Sequence, residues 1–503
     1  MSYNRPMTDW LAAQAAREPF RTALTFEGES FSFHALSELA GVWAGRLRSA
    51  GVAQGDRVAL LLSNRPEYVA LVFSLLRLGA VVVPLNARLT VEELKVQLHR
   101  ANPKLLISEA ELFRPATDLS RLLPCYLIDD EVSADELGTH VFKEAEPVPE
   151  GEVDLELPFC ILFTSGTTGT PKGVVLSLGN FFYSATASAY RLGIQPHDLW
   201  LCTLPLYHVG GLSILLRSCL YGTAVSLHRR FDLSEVARAL SLEPITLVSL
   251  VPTMLYRLLY APDFRPNKSL RLVLLGGAAA SKDLLQKANE RSLPVATTYG
   301  LSEACSQVTT ALPERAKSKP GTVGKPLMFT KVRVTSSEGR EVAADVIGEV
   351  RVRGASVMQG YLDADATAKT LQNGWLHTGD LGYLDAEGDL FIVQRRADLI
   401  VTGGENVYPA EVERTLQQHP GVAEACVVGV PHPEWGQQVA AAVVPKTSGE
   451  NAPLLEDLEK LCRKSLAGYK QPRAFLLLNE LPRTASGKPK RDELRALFAE
   501  QTL

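Results

Sequence analysis

Residues 157–173 read LPFCILFTSGTTGTPKG, an apolar run that passes straight into a loop of glycine and hydroxyl residues carrying a lysine. An apolar, β-prone run bounded by a glycine-rich stretch predicts a buried strand over 157–163. The loop, residues 164–173, holds three glycines, four threonines, one serine and Lys172. Its N–H groups, hydroxyls and ammonium make a cradle for a phosphate, because glycine lets the main chain approach an anion closely. This loop is not the P-loop of nucleoside triphosphatases. That motif needs lysine directly after the last loop glycine and then a serine or threonine. Here Gly169 is followed by Thr170 and Pro171, and Lys172 by Gly173.

The surrounding sequence alternates short apolar runs with helical patterns. Upstream, strands are expected at 57–62 (RVALLL), 80–83 and 104–108, with helices at 67–78 and 91–100. Downstream, strands are expected at 245–251, 271–275 and 295–298, with a helix at 253–260. Such alternation predicts parallel sheets covered by helices, with ligands beyond the strand C-termini. After about residue 320 the texture changes. Short strands at 332–334, 349–353 and 389–393, separated by turns such as Ala386-Glu387-Gly388, predict a small antiparallel or barrel-like unit. Beyond residue 397 the mixed pattern resumes, with helices at 409–418, 454–465 and 491–500 and strands at 425–430 and 439–444. The expected fold class is therefore α/β: a large N-terminal body of helix-covered parallel sheets with a small barrel-like β subdomain (1–396), and a small α+β C-terminal domain (397–503).

Composition narrows the function. The chain has 503 residues, 46% hydrophobic and 21% charged, which suffices for large cores. Lys plus Arg is 52 and Asp plus Glu is 56, a net charge of −4, so there is no global basic field for nucleic acid. The seven cysteines are scattered without CxxC spacing, which argues against a zinc site or disulfide framework. The N-terminus lacks a basic start followed by an apolar block, so no signal peptide is expected. The most apolar stretch, 69–85, is interrupted by Arg77 and Pro84, so no membrane span is expected either. A cytoplasmic location follows as the expectation. No interface stripe stands out, which leaves oligomeric state open, a homo-oligomer included.

TSGTTGTPKG resembles the phosphate loop of the acyl-adenylate-forming (AMP-binding) superfamily, which comprises acyl-CoA synthetases, adenylation domains and luciferases. Further motifs of that superfamily follow in order: YGLSE at 299–303, GWLHTGD at 374–380, RRAD at 395–398, GGEN at 403–406 and PRTASGK at 482–488. The resemblance implies ATP, Mg2+ and coenzyme A as cofactor and co-substrates, and a two-step reaction. A carboxylate attacks the α-phosphate of ATP to give acyl-AMP and pyrophosphate; coenzyme A then displaces AMP. It also implies that the C-terminal domain is mobile and turns about a hinge, here Ala397, between the two steps.

Residue by residue, the resemblance implies that Thr164, Ser165, Gly166, Thr167, Thr168 and Lys172 hold phosphates. Glu303 would bind the metal, as a hard cation requires a carboxylate oxygen, and Ser302 would donate to the α-phosphate. Gly277, Thr298 and Tyr299 would border the adenine, Asp380 would accept from the ribose hydroxyls, and Arg395 would contact ribose or phosphate. Lys488 would be the catalytic lysine of adenylation, a point charge bridging the incoming carboxylate and the α-phosphate. Gly403 and Gly404 would leave a channel for pantetheine. The chain departs from the common pattern at Ala397, where many relatives carry Asp or Lys, and at Gln394, where many have glycine.

Within that superfamily, HVGGLSILLR (208–217), LLGGAAA (274–280) and the strings around 298–310 and 373–385 are most similar to the o-succinylbenzoate–CoA ligases of menaquinone biosynthesis. The acid pocket would then include His208, Gly211, Gly276, Ser306 and Gln307, with Arg217 reading the second carboxylate and His208, counted among the catalytic residues, packing against the acid and gating the route to the phosphate. Two other readings stay open at this point: another aryl- or acyl-CoA ligase, acting on a benzoate, cinnamate, malonate or fatty acid, and a non-catalytic acyl-adenylate-binding protein.

Overall fold

In a computed structural model of the chain, described over residues 7–129, 138–164, 171–261, 264–394, 399–446, 455–483 and 489–500, the expected strands assemble into two large sheets and a smaller C-terminal one. Arg57–Leu61 lies between Val81–Pro84 and Leu105–Ser108, all parallel. Val58 and Leu60 enter one core and Ala59 and Leu61 another, so the strand is buried on both faces. That is why it reads as one apolar run instead of an alternating one. Pro158–Thr164 joins parallel to Val81–Pro84, and Lys172–Ser177 returns antiparallel to it. Gly360–Tyr361, from far downstream, closes that edge.

The helices have local reasons to start where they do. Pro66–Arg77 has proline in its first turn, whose missing N–H costs nothing there, and Glu67 beside it. Val91–Ala101 opens with a capping box in which Thr90 and Glu93 satisfy each other's backbone, and it ends at Asn102 with φ 45°. Arg77, in the last turn of its helix, is fully enclosed and pairs with the equally enclosed Asp9 at 2.8 Å.

The second sheet runs Val295–Leu301, Leu272–Leu275, Leu247–Leu250, Leu199–Cys202 and Ala224–Leu227, all parallel. One core takes residues from both sheets and from the helices Phe33–Ser49, Pro66–Arg77, Leu178–Leu192 and Val209–Tyr221. Beyond Val295–Leu301 the sheet turns antiparallel through Ser306–Ala311 and Thr322–Pro326. It continues into Leu390–Gln394, Trp375–Leu384, Gly348–Gly354 and Thr330–Thr335, the antiparallel unit read from the change of texture.

The C-terminal sheet is built on the long hairpin Val422–His432 and Gly436–Pro445, with Ile400–Thr402, Glu405–Val407 and Ala474–Leu477 beside it. Helices Pro409–Gln417 and Leu455–Ser465 cover one face and Arg491–Glu500 the other. All seven cysteines are buried thiols, and burial pushes the Cys202 thiol up to about 12. Among the described residues no helix is long and apolar enough to cross a membrane.

Candidate active site

The strand ends converge on two adjoining cavities. One, of about 280 Å³, is bordered by His208, Arg217, Gln307, Glu303, Asp380 and Glu405. The other, of about 1050 Å³, is bordered by Ala278, Tyr299 and Trp435. Gly277, Thr298 and Gly404 border both.

In the smaller cavity, His208 stands at the N-cap of Val209–Tyr221, and its carbonyl receives the N–H groups of Gly211 and Leu212. Gly210 faces the cavity. Gly211 packs instead against the chain before it, where a Cβ would fall 2.3 Å from the carbonyl oxygen of Pro205. Arg217, two and a half turns further along, is 2% exposed. A helix-surface arginine is thereby excluded. Its guanidinium donates to Gln307 Oε1 at 2.8 Å, Ser188 Oγ at 3.1 Å and Ser306 Oγ at 3.5 Å, and it lies over the Trp200 ring. Gln307 Nε2 donates to Thr310 Oγ1, which fixes the amide with its oxygen toward the arginine. Among the described residues no carboxylate pairs with Arg217, and burial lowers its pKa. A buried cation surrounded by neutral groups is costly until an anion arrives.

The turn that presents Ser306 is strained. Cys305 and Ser306 have φ of 52° and 91°, in a region side-chain-bearing residues seldom occupy. Gly300 allows it, since a Cβ there would fall 1.9 Å from the Ser306 carbonyl oxygen.

On the nucleotide side, the Tyr299 hydroxyl donates to Asp380 Oδ2 at 2.6 Å, and both residues are buried. Tyr299 therefore borders the larger cavity and also holds the Asp380 carboxylate. Thr378 steadies the same strand, accepting from the Asp380 N–H and donating to the Val350 carbonyl. Thr298 is tied to the Thr309 carbonyl. Gly276 is needed beside Thr298, because a Cβ would lie 2.8 Å from its methyl group. Ser302 and Glu303 form a short 3₁₀ turn after the strand, with Glu303 buried and accepting from the Tyr361 hydroxyl at 2.8 Å. Thr164 and Lys172 sit opposite each other at the mouth of the glycine loop. Among the described residues no group of three or more His, Cys, Asp or Glu is placed to hold a metal alone. Glu303 suits a cation that takes its other ligands from phosphate oxygens and water. Ser165, Gly166, Thr167, Thr168, Arg395, Ala397 and Lys488 lie outside the described residues.

The C-terminal unit reaches this site. Gly404, at φ 86°, lies against Val251, which also meets Gly277. Glu405 accepts from Arg88 at 3.0 Å and sits 3.2 Å from His208 Nε2. Burial pushes the Glu405 carboxyl up, but His208 and Arg88 outweigh it and hold the pKa below the ordinary value. The contribution of this contact is present above the ordinary carboxylate range and is lost as acid protonates Glu405. Lys470 is buried between Glu93 of the body and Glu411, at 2.6 and 2.8 Å. Arg88, Trp200, Ser188 and Tyr361 have no part in the sequence reading; they carry no local signal, because each acts on a partner remote in the chain.

The chain matches the AMP-binding enzyme family over residues 11–362 and the AMP-binding enzyme C-terminal domain over 411–488. It is 42% identical to a 2-succinylbenzoate–CoA ligase of Bacillus velezensis, over 97% of this chain and 98% of the relative. Its fold is similar to that of a double mutant of o-succinylbenzoate-CoA synthetase from Bacillus subtilis bound to a product analogue, with TM-score 0.90, 37% identity and 98% of each chain covered. Against the same synthetase in complex with its acyl-adenylate intermediate, at the same identity and coverage, the TM-score is 0.72. The arrangement of the whole chain thus follows the product-analogue complex. With the fold and both matched spans in agreement, the chain belongs to the AMP-binding enzyme family.

Proposed function

We infer that the chain is an ATP-dependent acid–CoA ligase whose acid is o-succinylbenzoate and whose thioester product feeds menaquinone biosynthesis. In the first step a carboxylate oxygen of the acid attacks the α-phosphorus and pyrophosphate leaves. In the second the sulfur of coenzyme A attacks the acyl carbon and AMP leaves. A carboxylate is a poor electrophile, and the mixed anhydride gives it a good leaving group. Catalysis of the first step is mainly positioning and charge stabilisation.

The observation that carries the choice of acid is Arg217, a buried guanidinium in the same cavity as Glu303 and Asp380, without a carboxylate partner among the described residues. o-Succinylbenzoate has two carboxylates: one to be activated, the other to meet Arg217 with help from Ser306 and Gln307. His208 and Gly276 border the acid, with Gly211 shaping the wall behind. Thr164, Ser165, Gly166, Thr167, Thr168 and Lys172 take the phosphates, Glu303 the magnesium of MgATP, and Ser302 the α-phosphate. Gly277, Thr298 and Tyr299 border adenine, Asp380 binds ribose, Arg395 contacts ribose or phosphate, and Lys488 bridges the reacting anions. We place the boundary between body and mobile domain at 396/397, and the pantetheine route past Gly404 and Glu405. Buried cysteine thiols support a reducing, cytoplasmic setting.

Pyrophosphate release with a panel of acids, with and without coenzyme A, tests the assignment. Release with o-succinylbenzoate alone is the expected result. Release with benzoate, cinnamate and fatty acids alike would replace it with a generalist ligase, and no release with any acid would point to a binding protein.

A further inference from the structure

Tyr361 is 58 residues away from Glu303 in sequence and belongs to none of the motifs quoted above. Its hydroxyl donates to Glu303 Oε1 at 2.8 Å, in a buried setting. Its ring lies beneath the Lys172 ammonium, 5.0 Å from nitrogen to centroid, within cation–π range. One side chain therefore touches both charged groups assigned to the phosphates.

The backbone around Tyr361 is fastened to hold it there. After the strand Gly348–Gly354, the chain crosses from the antiparallel unit to the edge of the first sheet. Asn180 Nδ2 donates to the carbonyls of Ala355 and Val357, each at 2.9 Å. The Met358 N–H donates to the Glu303 carbonyl at 2.8 Å, so residues 358 and 361 both clasp the same glutamate. The Gln359 N–H donates to Val175, Tyr361 pairs with Val174, and the Leu362 N–H donates to Gly173. Leu362 packs onto Gly173, where a Cβ would fall 2.5 Å from its methyl carbon. A pairing of only two residues is thus bound at each step to the strand that carries Lys172 and to the turn that carries Glu303.

We propose that Tyr361 is a positioning residue for adenylation. Its hydroxyl fixes the carboxylate of Glu303 for the magnesium of MgATP, and its ring holds the Lys172 ammonium on the phosphate side. A long, flexible glutamate gains most from such a brace, because the ion must find its ligand already oriented. The proposal rests on the roles given to Glu303 and Lys172 above.

Three variants test it. Tyr361→Phe keeps the ring and removes the donor. It is expected to raise the Mg2+ concentration for half-maximal adenylation by about tenfold. By calorimetry it should weaken ATP binding only when Mg2+ is present. Thioester formation from supplied o-succinylbenzoyl-AMP should be unchanged. Tyr361→Leu should also weaken ATP binding in EDTA, because Lys172 loses its platform. Combining Tyr361→Phe with Glu303→Gln should shift the Mg2+ requirement no further than Glu303→Gln alone, as expected for two groups acting as one unit. If Glu303→Gln shifts the requirement and Tyr361→Phe does not, the positioning role is wrong. Equal loss in both half-reactions would also overturn it, as a general structural effect. If Glu303→Gln leaves the requirement unchanged, the assignment of Glu303 itself falls.

Discussion

Replacing Lys488 with alanine is expected to cut acyl-adenylate formation by about a hundredfold to a thousandfold, the scale for losing one preorganised charge donor. Thioester formation from supplied acyl-AMP should continue at nearly the normal rate. The reason is electrostatic. Adenylation brings two anions, the acid's carboxylate and the α-phosphate, into bonding distance, and their repulsion must be offset by a cation between them. The second step begins from an anhydride in which that repulsion has already been removed. Lys172 and Arg217 cannot substitute, since one lies over Tyr361 and the other is held by Gln307 and Ser188. Separate single-turnover assays of the two half-reactions measure the split. Equal loss in both would show that Lys488 acts on neither anion and supports the site in some general way.

Arg217→Ala should raise KM for o-succinylbenzoate by about tenfold to a hundredfold, the range for a hydrogen-bonded charge pair at a buried site. For an aromatic monocarboxylic acid the same variant should change KM little. The guanidinium sits among neutral partners, so the acid's distal carboxylate is the charge it would pair with. Arg217→Lys should fall between the two, because an ammonium keeps the charge but not the forked geometry. The comparison is internal to each variant, so a general loss of folding cancels in the ratio between acids. An unchanged ratio would end the assignment of o-succinylbenzoate through this residue.

The parallel core was legible because its signals are local. Arg57–Leu61, Leu105–Ser108 and Leu272–Leu275 are short apolar runs bounded by turns, and each begins and ends within a residue or so of its expected position. Trp375–Leu384 was visible only as a motif, since its histidine, glycines and aspartate obscure the alternation of a strand. The hairpin Val422–His432 and Gly436–Pro445 extends well past the apolar stretches read from it, because Pro431, His432 and Gln437 are carried by pairing and not by propensity. The site shows the same division. Glu303 and Asp380, which border the smaller cavity, were singled out through their strings. Their supporting contacts were not: Tyr361 reaches Glu303, Tyr299, read only for the adenine, reaches Asp380 across 81 positions, and Arg88 reaches Glu405 across 317. Pairs made by threading of the chain leave no trace in a window of sequence.

A ligase of this kind makes a nucleotidyl anhydride of its acid before any thiol takes part. The most direct measurement incubates the protein with MgATP and o-succinylbenzoate in the absence of coenzyme A, quenches, and analyses the bound products by mass spectrometry. The expected result is o-succinylbenzoyl-AMP at close to one equivalent per chain, with matching pyrophosphate, all of it converted to thioester and AMP when coenzyme A is added. Thioester formation accompanied by ADP and phosphate, or no anhydride at any concentration of the acid, would contradict it.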